Sequence, residues 1–174
     1  MPSSIPLTGI ERFFDETQII VTKTNPAGII TYANRVFLEV SEYSEADVLG
    51  KPHNVIRHPD MPHCLFRKMW RRIKAGREIF AFVVNRTRLG NHYWVLAHIT
   101  PSFDADGRIV GFHSNRRVPE RGPLERVIIP LYRDLSARER AAADPEAGIV
   151  AGEAHLRAFL QDRGTSYDQF LFSL

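Results

Sequence analysis

Residues 29–62, IITYANRVFLEVSEYSEADVLGKPHNVIRHPDMP, decide the fold. Ile29 to Tyr32 is β-branched and aromatic, the composition of a strand. Asn34 follows at once, and Val36, Phe37 and Val40 recur at helical spacing. Asn34 is therefore placed to cap a helix by accepting a backbone N–H. Ser44 with Asp47 three residues on reads as a capping box, Asp standing where Glu or Gln is usual, and Gly50 ends that short helix. Pro59 and Pro62 then stiffen a loop that leads into the next helix.

Working outward, Gln18 to Thr24 is a second β-branched run, joined to the first by the turn Asn25-Pro26-Ala27-Gly28, so the two form a hairpin. Downstream, Leu65, Phe66, Met69, Trp70 and Ile73 make an amphipathic stripe with Arg67, Lys68, Arg71 and Arg72 opposite, closed by Gly76. Three strands follow, Glu78–Arg88, His92–Thr100 and Arg108–Arg116, with turns at Leu89-Gly90-Asn91 and Asp104 to Gly107. Two strands, helices, then three strands predict an α+β fold, a five-stranded antiparallel sheet with helices on one face. Thr8 is expected to cap an N-terminal helix carrying Ile10, Phe13 and Phe14. Glu120 to Ala143 reads as one helix kinked at Pro130. Asp144-Pro145 marks a break, Glu146 or Ala147 to Arg163 reads as a second helix ending at Gly164, and the apolar end from Tyr167 to Leu174 is expected to dock. The divisions are a cap at 1–16, a central domain at 17–118 and a helical extension at 119–174.

At 44% hydrophobic residues a real core can form, and the net charge of +3 is mild. Arginines come in scattered pairs (Arg71 with Arg72, Arg116 with Arg117), which reads as solvated helix faces and strand ends, so no nucleic-acid partner is expected. No apolar run of about 18 residues predicts a membrane span. The N-terminus lacks the pattern of a signal peptide, and the lone Cys64 suits a reducing compartment. The expected location is cytoplasmic.

Tyr32-Ala33-Asn34-Arg35-Val36-Phe37 resembles the strand-to-helix junction of PAS domains. Gly50 to Asn54 and the string Arg57-His58-Pro59-Asp60-Met61-Pro62 resemble the PAS domain of bacterial aerotaxis receptors, as do Asn85-Arg86, Gly90, His92 to Val95 and Pro101. The likeness covers roughly Gln18 to Arg117. It implies a PAS fold, an FAD cofactor, and relay of the flavin's redox state to a partner, in motility or taxis control. It places Arg57, His58 and Asp60 in flavin binding and Asn85 near the cofactor, and Asn34 is counted with them as a cofactor-binding residue. Where those receptors carry a Trp against the flavin, this chain has Ile79, which fills the volume but offers no ring to stack. A ligand-free adaptor and a haem-based gas sensor are the alternatives.

On their own chemistry, Arg57, His58 and Asp60 gather a fixed cation, a titratable ring and a carboxylate in one loop. Such a loop suits a pyrophosphate, with Arg57 donating paired hydrogen bonds and Asp60 holding Arg57 or a ribose hydroxyl. Equally, Asp60 is placed to cap the following helix. Asn85 falls inward with Ile79, Ala81 and Val83 and needs partners there. His53, His58 and His63, five apart, do not converge on one helical face, so no zinc site is read. Ser114 beside His113, and Cys64 beside His63, lack a third orienting group. No phosphate loop, CxxC or HExxH occurs, so no enzyme is read.

Strand alternation sends Phe80 and Phe82 to the other face of the sheet with Trp94 and Leu96, a patch too apolar to leave wet. The N-terminal Phe13 and Phe14 or a second subunit is expected to cover it, giving a homodimer or a contact with a protein partner of a signalling pathway.

Overall fold

The computed structural model describes residues 5–174. Five strands form one antiparallel sheet: β1 (Ile20–Thr24), β2 (Ile30–Ala33), β3 (Ile79–Arg86), β4 (His92–Phe103) and β5 (Ile109–Arg117). Their order, β2-β1-β5-β4-β3, puts the last strand in the centre, beside the first. Between β2 and β3 lie α1 (Arg35–Ser41), α2 (Glu45–Val48), a 3-10 turn (His53–Ile56) and α3 (His63–Lys74). After the sheet come α4 (Arg121–Pro123), a π turn (Leu124–Ile128), α5 (Ile129–Arg140), α6 (Pro145–Gln161) and α7 (Tyr167–Phe172). No helix among the described residues is long and apolar enough to cross a membrane.

The chain divides into two compact units. The first runs to His58 and resumes over Arg72–Pro119; the second comprises Pro59–Arg71 and Glu120–Leu174.

In the first unit the core lies between the sheet and α1, α2 and the 3-10 turn. Ile20, Ile30, Phe37, Val40, Val48 and Ile56 meet Tyr93, Val95 and Ala97 there. Asn34 caps α1 by accepting from the Phe37 N–H. Ser44 and Asp47 close the capping box reciprocally, the Asp carboxylate taking the Ser44 N–H at 3.1 Å. The expected inward face of β3 is also found, with Ile79, Ala81 and Asn85 buried.

Among the described residues the N-terminal cap is not a helix. Gly9 takes φ +74°, and the Ile10 N–H turns back to Thr8 Oγ1 at 3.1 Å, so the chain leaves Thr8 extended. It runs along the start of β4, with His92 N–H to Ile10 C=O at 3.0 Å and Arg12 N–H to His92 C=O at 2.7 Å. Arg12 then reaches Glu42 at 2.6 Å. Phe14 packs against the inner core rather than the outer face, while Phe13 is 70% exposed. That face is not open either. Phe82 and Trp94 are 4% and 8% exposed within the single chain, and Phe80 and Leu96 are partly buried. A second subunit is not needed to shield them.

The second unit is helical. Pro130 cannot donate to the carbonyl of Arg126 and crowds it, and the predicted kink is resolved as the π turn immediately before α5. Asp144 caps α6 through the Ala147 N–H, and the docked end is helical, with Tyr167, Phe170 and Leu171 buried. Arg67 of α3 grips Glu153 of α6 with two bonds of 2.9 Å, and Arg71 adds a third at 3.0 Å. Two parallel bonds from a planar guanidinium fix direction as well as distance.

Candidate functional site

The first unit brings Arg57 and Asn85 together. The 3-10 turn ends at Arg57, whose backbone forms an antiparallel bridge with Asn85 of β3. Asn85 in turn opposes Tyr93 across β3 and β4, and Arg86 opposes His92. The buried His58 ring lies 5.6 Å from the His92 ring, so the loop is tied to one end of the sheet by two neighbouring contacts. Asp60 lies in the second unit and is exposed. The first N–H groups of α3 are taken by another carboxylate: Glu139 accepts from His63 N at 2.9 Å and Cys64 N at 2.8 Å.

Asn34 is engaged by backbone at both ends of its amide. Its Oδ1 accepts from Val21 and Phe37 N–H at 3.0 Å each, and its Nδ2 donates to Ile19 C=O at 2.8 Å. It pins the hairpin to α1, and this role accounts for it without a ligand.

One charged residue lies where its composition does not predict. Arg116, expected at a solvated strand end, is 3% exposed on the inner face of the central strand. Its Nη2 donates to Thr22 Oγ1 at 2.7 Å and meets His53 Nε2 at 2.6 Å, and the guanidinium lies 5.9 Å from the centre of the Phe37 ring. The signal was present in strand alternation: Phe112, Ser114 and Arg116 share a face, and Ile20 of β1 opposes Arg116. A rule that charges stay outside overrode it. Because a guanidinium can only donate, His53 Nε2 must be the accepting nitrogen and its proton must sit on Nδ1.

Electrostatics agree with that tautomer. Burial, followed by the neighbouring Arg116, lowers the His53 pKa to about 3. Burial lowers the Arg116 pKa to about 10, so it stays charged at neutral pH at a cost of roughly 3 kcal/mol. Burial also pushes the Tyr93 hydroxyl up against the opposing pull of Arg116, leaving it a neutral donor.

The depressed His53 value has a measurable consequence. Unfolded, the ring takes a proton below its ordinary pKa of 6.5, whereas the folded ring does not until about 3. The unfolded state therefore binds more protons across that window, and stability falls as pH drops. The residue is only partly buried, which limits the effect. Between pH 7 and 5 the loss is expected to be at most about 2 kcal/mol. Denaturant unfolding at the two pH values measures it, and His53→Gln, which keeps an acceptor without titrating, should remove most of the difference.

Several buried polar atoms on this face close no hydrogen bond of good geometry within the protein: Asn85 Nδ2, Tyr93 Oη, Arg116 Nη1 and Ser114 Oγ. Asn85 lies close enough to Tyr93 to favour its phenolate, but the two do not satisfy one another. Each such group costs about 1–3 kcal/mol if left so, and a native core holds few of them.

The other sequence candidates separate. His53, His58 and His63 occupy different surroundings, the last in the second unit with Nδ1 3.7 Å from Glu139. Among the described residues no three His, Cys, Asp or Glu side chains could jointly hold a metal ion. Burial and Glu139 push the Cys64 thiol up, the opposite of an activated nucleophile.

Comparison with known proteins agrees with this geometry. The family described as "PAS fold" matches residues 30–116. The chain is 39% identical over 125 residues to the aerotaxis receptor of Escherichia coli K12, covering 71% of this chain and 24% of the receptor. It is 28% identical over 105 residues to phototropin-2 of Oryza sativa subsp. japonica, covering 60% of this chain and 12% of that protein. It thus spans a quarter or less of the length of these relatives. Among solved structures, the dark form of the blue-light photoreceptor Aureochrome1 LOV superposes with a TM-score of 0.57 at 20% identity, covering 67% of this chain and 85% of the other.

Proposed function

Because the chain belongs to the PAS-fold family, we propose that it is a sensor module that holds FAD between the inner face of its sheet and its short helices and relays the flavin's state to a protein partner. The observation that carries the reading is the set of buried polar atoms without good partners on β3, β4 and β5. Bound flavin would supply reversible electron chemistry. The protein's own residues orient it: Asn85 and Tyr93 offer an amide and a hydroxyl to the ring edge, and Ile79 gives an apolar wall. Arg57, held by its bridge to Asn85, offers a cation to the pyrophosphate. Likeness to an aerotaxis receptor supports a role in taxis or motility, and no catalytic step is assigned to the chain.

The test is reconstitution. Purified protein mixed with FAD and freed of excess is expected to retain flavin absorbance, and Asn85→Ala should weaken binding about tenfold through the loss of one buried hydrogen bond. Folded protein that retains no flavin, with a native-like melting profile, would leave a ligand-free adaptor as the function. Retention of haem instead would point to gas sensing.

A further inference from the structure

The strongest unexplained feature of the first unit is a buried positive charge without a counter-charge. Arg116 makes no ion pair among the described residues, and both partners of its Nη2 are neutral, a hydroxyl and an imidazole held neutral by its low pKa. Its Nη1 closes no hydrogen bond among the described residues. Buried charges are ordinarily paired, since an isolated one is strongly disfavoured in a low-dielectric interior. Its two hydrogen-bonded neighbours have an alternative without it. Thr22 Oγ1 lies 3.1 Å from His53 Nε2, so if the guanidinium were removed the hydroxyl could donate to the ring directly. A cation that costs stability and is not required by its neighbours points to something absent from the folded chain.

We propose that Arg116 is a ligand-selecting residue whose free nitrogen pairs with an anionic or strongly accepting edge of the ring ligand. The assignment rests on the flavin reading above and sharpens it. Position separates Arg116 from the phosphates. It sits 3% exposed on the central strand, where a strongly hydrated pyrophosphate joined to a bulky nucleoside does not reach, so the group it meets is the ring. Arg57, in the more exposed loop, is left for the phosphates. Thr22 and His53 hold the guanidinium by Nη2 and leave Nη1 to face the guest. A cation fixed against the ring favours the ligand form that carries negative charge there. Reduced flavin, anionic at mildly alkaline pH, is therefore bound more tightly relative to oxidised flavin than it would be without Arg116.

Two measurements test this on the full chain. In ligand-free protein, Arg116→Met should be as stable as the native chain or more stable, because an unpaired buried charge is replaced by an apolar side chain of similar length. A folding constant lowered about tenfold or more would make Arg116 structural and overturn the assignment. Next, oxidised FAD and dithionite-reduced FAD are titrated into native, Arg116→Met and Arg116→Lys proteins. The preference for reduced over oxidised FAD should fall about tenfold or more in the Met variant and survive in part in the Lys variant. Native protein that binds FAD while the Met variant keeps the same preference overturns this assignment alone. Native protein that binds no FAD overturns the flavin reading and takes the assignment with it.

Discussion

Gly148→Val is expected to destabilise the second unit by about 3 kcal/mol or more, enough to unfold it under mild denaturant. Helices α5 and α6 approach each other where Gly148 faces the backbone of Glu139. A Cβ at 148 would stand 2.5 Å from the Glu139 carbonyl oxygen and 3.2 Å from its carbon. A main-chain carbonyl inside a helix cannot swing aside as a side chain can, so the helices must part. One turn on, a Cβ at Gly152 would lie 2.9 Å from Cys64 Sγ and 3.0 Å from Glu139 Oε1, which shows how close the packing stays along this stripe. The damage extends to α3, because the Glu139 carboxylate accepts the His63 and Cys64 N–H groups that open that helix. Displacing it removes a cap worth about 1 kcal/mol and leaves two N–H groups to find other partners. Denaturant unfolding followed by Trp70 fluorescence reads the effect. A Gly148→Val protein within about 1 kcal/mol of native would mean that the two helices can move apart freely.

Glu139 also marks where sequence reasoning stops. The helix start near Met61 was legible from Pro62 and the apolar stripe, but its capping carboxylate lies 75 residues away along the chain from Cys64. Only tertiary structure brings the two together. The hairpin, the Asn34 cap and the Ser44 box were legible because each is a device spanning a few residues. The N-terminal segment departs from the expected helix for a local reason. Gly9 directly after Thr8 admits a positive φ, and the extended chain gains backbone bonds to the β3–β4 hairpin that a helix would forgo. Arg116 failed differently. Strand alternation put it inside, charge put it outside, and the general preference for exposed arginines prevailed where the particular strand register was correct. A buried charge where two rules conflict is what motivates the role proposed for Arg116.

Asn34→Ala is expected to cost about 3 kcal/mol, and the pattern among substitutions separates two roles for the residue. Truncation removes a helix cap, worth about 1 kcal/mol, and strips partners from the Val21 N–H and the Ile19 carbonyl. Each of those partly buried groups adds about 1 kcal/mol when unmet. Asn34→Asp should be milder, since a carboxylate still accepts from Val21 and Phe37, although it loses the bond to Ile19 and sets an oxygen against that carbonyl. A residue acting as a ligand contact would behave otherwise, both changes weakening FAD binding while leaving stability near native. For a pin, stability falls first, steeply for Ala and less for Asp. Under the proposed flavin reading, FAD affinity should then fall only as α1 loosens, because α1 carries the Phe37 ring that lies against Arg116. Unfolding free energies of the two variants beside their FAD dissociation constants distinguish the cases. Equal stability losses for Ala and Asp would refute the pin, because the two side chains differ in which of the three backbone bonds they keep.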